Sequence, residues 1–277
     1  MMLNLAHWNP HWECFAKEPM CKANATAALT TLLTSACSPT GCSPTGVLDF
    51  ASIIEFEVAD YVLPPGWAAI GLDQSCGYDW ATLFYNADRW TPVHNSSITG
   101  CVSSGRSFAA SAFMSATSTT PLAVVSAHFP QTQHNMSAYA DATASLRNTF
   151  SRLGAGHAVI MADTNTESPS AAAAHPYHNT SGGVNRTNAQ LLSDIGLWAR
   201  TDEPPAAALF DGCCCTPFGP WDTPFSWQGD RIIANVGSAI DSRHFFDPAP
   251  QWACSDELRK TTGSEFHKGV HLTLSLP

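Results

Sequence analysis

The amino-acid sequence predicts a layered α/β or α+β domain with β-sheet at its centre. Three observations lead to this prediction. Many short apolar segments have the length of strands, helix-type segments lie between them, and no shift in composition divides the 277 residues. We therefore expect residues 1–277 to form a single domain.

The first elements follow from local patterns. A strand is predicted over 3–9, because Leu3, Leu5 and His7 alternate before Asn9 and Pro10. Residues 20–36 are rich in Ala and Leu and contain neither Gly nor Pro, which predicts a helix. The next segment, "CSPTGCSPTG" at 37–46, repeats a pentapeptide and predicts a loop. Its two cysteines fit either a disulfide or a tolerated duplication.

The remaining elements alternate between strands and helices. Further strands are predicted over 47–58, 67–72, 81–86, 107–115, 121–127 and 157–165, and in the segments "DRIIANV" and "VHLTLSL" near the end of the chain. Helices are predicted over 137–153 and near 187–197. Two stretches predict loops: 166–186, rich in Ser, Ala, Gly and His, and 212–229, rich in Cys, Pro and Trp.

Composition limits the partners and the cellular compartment. With 23 acidic and 13 basic residues the net charge is -10, which argues against a basic surface for nucleic acid or anionic membrane. Neither a signal peptide nor a membrane span is predicted, because no long apolar run occurs. No protein partner is predicted either.

Cysteines and glycosylation sequons point to an oxidising compartment. The chain has ten cysteines and five sequons, at Asn24, Asn95, Asn135, Asn179 and Asn185. We expect a secreted or lumenal glycoprotein with disulfides, whose leader is already missing from this sequence. The alternative is a cytosolic protein with buried thiols. Paired CxxC motifs do not occur, so a structural zinc site is not expected.

Acidic and histidine residues recur where apolar strands begin or end, which is the usual place for a site on a sheet scaffold. Glu55 ends "DFASIIE" and His128 ends "LAVVSAH". Asp163 and Asn165 end "HAVIMADTN", Asp230 opens "DRIIANV", and His267 precedes the last strand.

This ordered series resembles the endonuclease/exonuclease/phosphatase superfamily, which includes pancreatic-type deoxyribonucleases, neutral sphingomyelinases and inositol polyphosphate phosphatases. The resemblance runs nearly end to end. The matching segments, in order, are "LAHWN" with Asn9, "DFASIIE" with Asp49 and Glu55, "VVSAHFP" with His128, "ADTN" with Asp163 and Asn165, "GDRII" with Asp230, and "HKGVHLTL" with His267. Weaker matches are Asp79 in "GYDWATLFY" and Arg106 in "GRSFAASAF".

The resemblance implies a specific fold and chemistry. The fold is an α+β, four-layer α/β/β/α sandwich, with two packed, mostly antiparallel sheets flanked by helices. The activity is divalent-metal-dependent hydrolysis of a phosphate ester, a phosphodiester or a phosphomonoester. The metal ligands are Glu55, with Asn9 nearby, and their hard oxygens suit Mg²⁺, Mn²⁺ or Ca²⁺ rather than zinc.

The resemblance also assigns roles to the other residues. Asp163 orients or deprotonates water, and Asn165 fixes the phosphate. His267, held by Asp230, donates hydrogen bonds to the phosphate or the leaving group. His128, held by Asp79, does the same, and Arg106 contacts the phosphate.

Two departures from the family bear on the substrate. Phe266 stands where the family has an Asp near the metal, so Glu265 is the candidate replacement ligand. Glu57 stands where pancreatic-type nucleases have an Arg, and by its spacing it rivals Glu55 as a ligand on the same strand face. Both departures favour a small or neutral-backed phosphoester over long nucleic acid, which stays possible.

Two alternatives to this function stay open. One is a secreted nuclease of the deoxyribonuclease type. The other is a catalytically lapsed domain that binds a phosphorylated or carbohydrate partner. His271, four residues after His267, is expected on the polar face of the last strand, roughly 13 Å away and outside the site.

Overall fold

Two β-sheets packed face to face form the centre of the molecule. The computed structural model describes residues 1–10, 14–15, 19–35, 37–38, 41–42, 46–72, 76–77, 79–103, 105–130, 136–166, 186–197, 207–209, 229–246, 267 and 269–277. The strands are β1 (Met2–Trp8), β2 (Cys37–Ser38), β3 (Gly41–Cys42), β4 (Phe50–Ile54), β5 (Trp67–Ile70), β6 (Ala81–Asn86), β7 (Trp90–Pro92), β8 (Ile98–Ser103), β9 (Arg106–Ser115), β10 (Leu122–His128), β11 (His157–Asp163), β12 (Ala207–Leu209), β13 (Asp230–Ala234), β14 (Ser238–Phe245) and β15 (Gly269–Ser275). The helices are α1 (Pro19–Thr34), α2 (Met136–Leu153) and α3 (Asn188–Asp194).

Each large sheet has one parallel pair of strands at its centre. The first sheet has the order β14, β15, β1, β4, β6, β5, and within it β1 and β4 are parallel. The second has the order β12, β13, β11, β10, β9, β7, with β8 also on β9, and within it β10 and β11 are parallel. The other pairings between strands of these two sheets are antiparallel. The predicted, mostly antiparallel sheets are therefore confirmed.

Helices cover the outer face of each sheet, so the predicted four-layer sandwich is also confirmed. On β1, Leu3 and Leu5 face the layer between the sheets, whereas Ala6 and Trp8 face the α1 side. The same alternation on β10 directs one set of residues inward and the other towards α2 and α3. Both faces are apolar because both are covered, and each fully buried Leu contributes about 2 kcal/mol.

Most predicted elements lie within a few residues of the observed ones, and the exceptions have physical causes. The strands β7, β8, β12 and β14 were not predicted. In β7, β8 and β14, exposed residues interrupt the apolar pattern. The predicted strand over 47–58 ends early, at Ile54. The loop predicted over 37–46 contains the short β2–β3 hairpin.

The described residues include two disulfides. Cys14 is joined to Cys21, and Cys76 to Cys101, which ties the segment before β6 to β8. Cys213, Cys214 and Cys215 lie outside the described residues. None of the helices in the described part of the chain has the length and apolar character that crossing a membrane requires.

Asp49 joins the two sheets at the end opposite to Glu55. Its Oδ2 accepts a hydrogen bond from the backbone N–H of Asn4 (2.7 Å), and its Oδ1 accepts one from Trp90 Nε1 (2.7 Å). Arg89 Nη1 lies 2.9 Å from the same Oδ1. Burial raises the pKa of this fully buried carboxyl, and its hydrogen bonds to Asn4 and Trp90 oppose that shift. Asp49 therefore has a structural role, and it lies away from the predicted site at Glu55.

His271 lies on the face of β15 that carries Thr273, the polar face on which it was expected, and that face is buried. It lies on β15 on the side opposite Val270 and Leu272, and neither ring nitrogen has a hydrogen-bond partner among the described residues. Burial lowers the pKa of His271 from 6.5 to about 4; nearby Arg243 adds to this effect and Asp241 opposes it.

This histidine makes stability depend on pH. The unfolded chain binds the proton more tightly than the folded one, so the contribution of His271 is complete above pH 6.5 and is lost as pH falls towards 4. Between pH 8 and 5 the wild type is expected to lose about 2 kcal/mol more than His271→Leu. Urea unfolding of both proteins at the two pH values tests this. Equal losses would show that His271 is not the group responsible.

Candidate active site

The layer between the sheets changes from apolar to polar towards one edge. On β1, His7 follows Leu3 and Leu5 on the inner face, and on β10, Ser126 and His128 follow Leu122 and Val124. Asp163 ends β11 and pairs in register with Asp230, which opens the antiparallel β13. Because the carboxyl ends of parallel strands meet at the same edge, these polar groups converge there.

Asn9 connects polar groups from the two sheets. It follows β1, and its Nδ2 donates to Asp163 Oδ2 (3.0 Å) and to Glu55 Oε1 (3.4 Å). Its backbone oxygen accepts a hydrogen bond from the N–H of His267 (3.2 Å). All four residues are buried. The structure thus brings together four of the residues that the sequence predicted for the site.

His267 and Asp230 form a close pair, as the sequence predicted. His267 Nδ1 lies 2.6 Å from Asp230 Oδ2 and 3.9 Å from Asp163 Oδ2. Burial opposes ionisation of Asp230, but hydrogen bonds and charges from His267 and His7 outweigh it and hold the pKa of this carboxyl below its usual range. Burial and the charge of Asp230 raise the pKa of Asp163, although His267 opposes the shift. Asp163 is therefore the better proton acceptor near neutral pH.

A second cluster surrounds His128. Ligand atoms of Glu55, Asp79 and His128 all lie within 4.8 Å of one another. Arg106 Nη1 lies 3.1 Å from Asp79 Oδ2 and 3.5 Å from Glu55 Oε1, and it contacts the His128 ring. His128 Nε2 is 3.6 Å from both Glu55 Oε1 and Asp163 Oδ2. The weaker predictions, Asp79 and Arg106, thus lie with the stronger ones, and the guanidinium partly neutralises two carboxylates.

Two site residues have a strained backbone. Glu55 has φ 58° and Asn165 has φ 46°, a region that residues other than glycine rarely adopt. Asn165 is held there by its N–H, which donates to Asp163 Oδ1 (3.0 Å), and by Nδ2, which donates to Phe129 O (2.8 Å). Glu55 leaves β4 at this turn. Backbone strain of this kind is typical of functional sites.

Glu57 faces the same cluster from the loop after β4. Because β4 ends at Ile54 and Glu55 turns away, the two glutamates do not share a strand face, contrary to the prediction. Burial, followed by the charges of Asp79 and Glu55, raises the pKa of Glu57 to about 7. Glu57 is therefore mostly neutral below pH 7 and adds a negative charge beside the site above it.

Several predicted residues cannot be placed, and others were missed. Glu265 and Phe266 lie outside the described residues. His7 and Arg231 were not singled out from the sequence. Arg231 is fully buried, and its guanidinium donates to Thr166 O and Arg186 O (both 2.7 Å), which supports the segment after Asn165. The sequence feature that could have identified both residues is a polar side chain within an otherwise apolar, buried strand.

The donor set fits a hard divalent cation. Carboxylate oxygens of Glu55 and Asp79 face each other beside the amide of Asn9, and such oxygens are the ligands that Mg²⁺ and Ca²⁺ prefer. A second group, Asp163, Asp230 and His267, also has ligand spacing, but Asp230 is already engaged by two imidazoles. The first group is therefore the better candidate.

Solved structures identify the fold. An endonuclease/exonuclease/phosphatase protein from Bacteroides vulgatus has a TM-score of 0.64 and 13% identity over 100% of both chains. TDP2 from D. rerio, complexed with a single-strand DNA product, has a TM-score of 0.61 and 10% identity over 99% of each chain. A mannosyl-6-phosphatase from Bacteroides thetaiotaomicron has a TM-score of 0.55 and 11% identity over 99% of this chain and 100% of its own.

The chain has the endonuclease/exonuclease/phosphatase fold, as the ordered motifs predicted. No protein-family model and no curated protein matches the sequence. At these low identities the comparisons establish the fold, and the chemistry has to be argued from the side chains.

Proposed function

We propose that residues 1–277 form one catalytic domain of a divalent-metal-dependent phosphoric ester hydrolase. The observation that carries the proposal is Asn9, which holds Glu55 from one sheet and Asp163 from the other beside the His267–Asp230 pair. The proposal is supported because carboxylates, imidazoles and an amide lie within one buried cluster, and these groups are able to accept a proton and to bind a cation. Among structural neighbours, one is named a mannosyl-6-phosphatase and another was solved with a DNA product.

Asp163 is proposed to orient the attacking water and accept its proton. Hydrolysis of a phosphate ester requires water in line with the leaving oxygen, so positioning contributes much of the rate. Asn9 Nδ2 holds one oxygen of Asp163 and the Asn165 N–H holds the other, which fixes the plane of the carboxylate. Its raised pKa suits a group that takes a proton and releases it again.

His267, His128 and Arg106 are proposed to donate hydrogen bonds to the phosphoryl oxygens or the leaving group. Asp230 accepts a hydrogen bond from Nδ1 of His267, and Nε2 is the ring nitrogen proposed to donate to the substrate. Arg106 carries positive charge beside His128, within reach of Asp79 and Glu55. Asn165 is proposed to fix the phosphate with Arg106. These groups act by neutralising negative charge that shifts during the reaction.

Glu55 and Asn9 would hold the metal ion, with Asp79 beside them and Glu265 as a further proposed ligand. Mg²⁺ is favoured over Mn²⁺ or Ca²⁺ as the ion. When bound, it would act as a Lewis acid towards the phosphate oxygens. Glu55 serves this role because its strained backbone directs the carboxylate towards Asn9 and Arg106.

A small or neutral-backed phosphoester is the favoured substrate. The chain has a net charge of -10, and above pH 7 Glu57 adds a negative charge beside Glu55 and Asp79, so a long polyanion would be repelled. A secreted nuclease is the second candidate, because two neighbours were solved with DNA products. The third is a catalytically lapsed binding domain, because Phe266 replaces an expected carboxylate.

One assay panel separates these candidates. The purified protein is tested on mono- and bis-nitrophenyl phosphate, plasmid DNA and sphingomyelin, with Mg²⁺, Mn²⁺ or Ca²⁺ and with chelator. We expect metal-dependent turnover of a small ester that is lost in Glu55→Gln and His128→Ala. Turnover that persists in chelator would contradict the mechanism. Activity on DNA alone would favour the nuclease, and no turnover with any metal would favour the binding domain.

Secretion is proposed from the two disulfides and the sequons. Asn95 is an exposed sequon at a turn, whereas Asn24 is half-buried within α1. A thiol count on the native protein, followed by mass spectrometry, is expected to find Cys14, Cys21, Cys76 and Cys101 oxidised. Free thiols at these four positions would contradict an oxidising compartment.

A further inference from the structure

A second imidazole lies behind Asp230, on the side away from His267. His7 is on β1 and is fully buried, and its Nε2 lies 2.9 Å from Asp230 Oδ1. The other oxygen of the same carboxylate, Oδ2, lies 2.6 Å from His267 Nδ1. One carboxylate is thus held by an imidazole on each of its two oxygens.

The contacts of His7 continue across the layer between the sheets. Its Nδ1 lies 3.0 Å from Ser52 Oγ, which is 2.8 Å from Ser126 Oγ and 3.2 Å from Met161 O. His7 and Ser52 belong to the first sheet, whereas Asp230 and Ser126 belong to the second. These four side chains are fully buried, and the cluster of buried residues beside them in this layer is apolar.

A purely structural explanation does not account for this choice of residues. Buried polar groups cost free energy unless they are fully hydrogen-bonded, and apolar side chains of the same volume are often as stable or more stable. The inner face of β1 already carries Leu3 and Leu5, so a third apolar residue would fit the pattern. The polar residue stands at a position on that face from which its side chain contacts Asp230.

The hydrogen-bond partners define which atoms donate to Asp230. An ionised carboxylate only accepts, so His7 donates from Nε2 to Oδ1 and His267 donates from Nδ1 to Oδ2. On the other side of the His7 ring, Nδ1 is hydrogen-bonded to Ser52 Oγ, and that hydroxyl donates to Met161 O. Asp230 thus carries the negative charge that both imidazoles face.

We propose that His7 is a positioning residue for the phosphate ester hydrolysis proposed above, on which this inference rests. An Asp carboxylate with one hydrogen-bond partner can rotate about its terminal bond. With His7 on Oδ1 and His267 on Oδ2, that rotation is stopped, and the His267 ring is held with its proton on Nδ1. Mutation of a residue that orients another functional side chain typically lowers activity roughly 10- to 100-fold.

The test uses two variants and a matched control. His7→Phe keeps a ring and removes both hydrogen bonds, whereas His7→Gln keeps a donor near the position of Nε2. His94→Phe makes the same change at an exposed histidine. Proton and nitrogen NMR of the protein with labelled histidines reports the Nδ1–H proton of His267 without substrate or metal, so this readout does not depend on turnover.

We expect the His267 Nδ1–H signal to shift and exchange faster with solvent in His7→Phe, and to be largely restored in His7→Gln. For an ester that the wild type hydrolyses, kcat is expected to fall about 10-fold in His7→Phe, with KM unchanged. If the signal and kcat are unchanged in a folded His7→Phe, the positioning role is wrong. If the wild type turns over no ester, the proposed function fails, and the NMR comparison still decides whether His7 positions His267.

Discussion

Replacing Asp163 with asparagine is expected to lower kcat for phosphate ester hydrolysis about 1,000-fold. The variant keeps the shape of the side chain but cannot accept a proton from water. Burial and the nearby Asp230 carboxylate raise the pKa of Asp163, which suits this role, and Asn9 and the Asn165 N–H orient both of its oxygens. Steady-state kinetics on the ester found in the assay panel measures the effect.

Metal titration separates loss of the proton acceptor from loss of the metal site. By calorimetry, Asp163→Asn is expected to bind Mg²⁺ with near wild-type affinity, whereas Glu55→Gln is expected to lose binding, because Glu55 is the proposed ligand. Asp141→Asn, on the exposed surface of α2, is the matched control for removal of a negative charge. Wild-type kcat in Asp163→Asn would assign the proton acceptor to another group.

Replacing Asp49 with alanine is expected to lower the free energy of unfolding by about 3 to 5 kcal/mol. The variant leaves the Asn4 N–H and Trp90 Nε1 unpaired in the interior and removes the partner of Arg89. It also removes a contact between β1 of the first sheet and β7 of the second. Urea denaturation monitored by circular dichroism measures the loss.

The same variant also tests whether the Asp49 end of the molecule is separate from the site. Asp49 and Glu55 stand at opposite ends of β4, roughly 20 Å apart along the chain. Turnover per folded molecule in Asp49→Ala is therefore expected to stay within about 2-fold of wild type, a difference of about 0.4 kcal/mol. Asp141→Ala serves as the stability control. A loss below 1 kcal/mol would show that these hydrogen bonds contribute little net stability.

Much of the fold was predictable because its central strands and helices are marked locally. The inner strands are apolar on both faces, and α1 and α2 have runs free of Gly and Pro, so their positions follow from periodicity. The edge strands β8 and β14 were missed, because half of each strand faces solvent and the apolar pattern disappears. The early end of β4 was missed because it depends on the positive φ of Glu55.

The candidate site was predictable to a similar degree. Polar residues at the ends of apolar strands identified Asn9, Glu55, His128, Asp163 and Asp230, and the structure brings them together with His267. Arg106 was predicted as a phosphate contact, but its place between Glu55 and Asp79 was not. That place depends on how the loop before β6 meets β9, which no local pattern records.

By itself the sequence determined the order of the strands' polar ends and, through that order, the resemblance to a known fold. Only the tertiary structure decided what Asp49 and His7 do. Both are polar residues next to apolar strand segments, so the local sequence pattern does not distinguish their roles. Asp49 joins the sheets far from the site, whereas His7 meets Asp230, 223 residues away in the chain. The physical reason is that strand periodicity specifies which face a side chain occupies, whereas its partner across the layer depends on the packing of the second sheet.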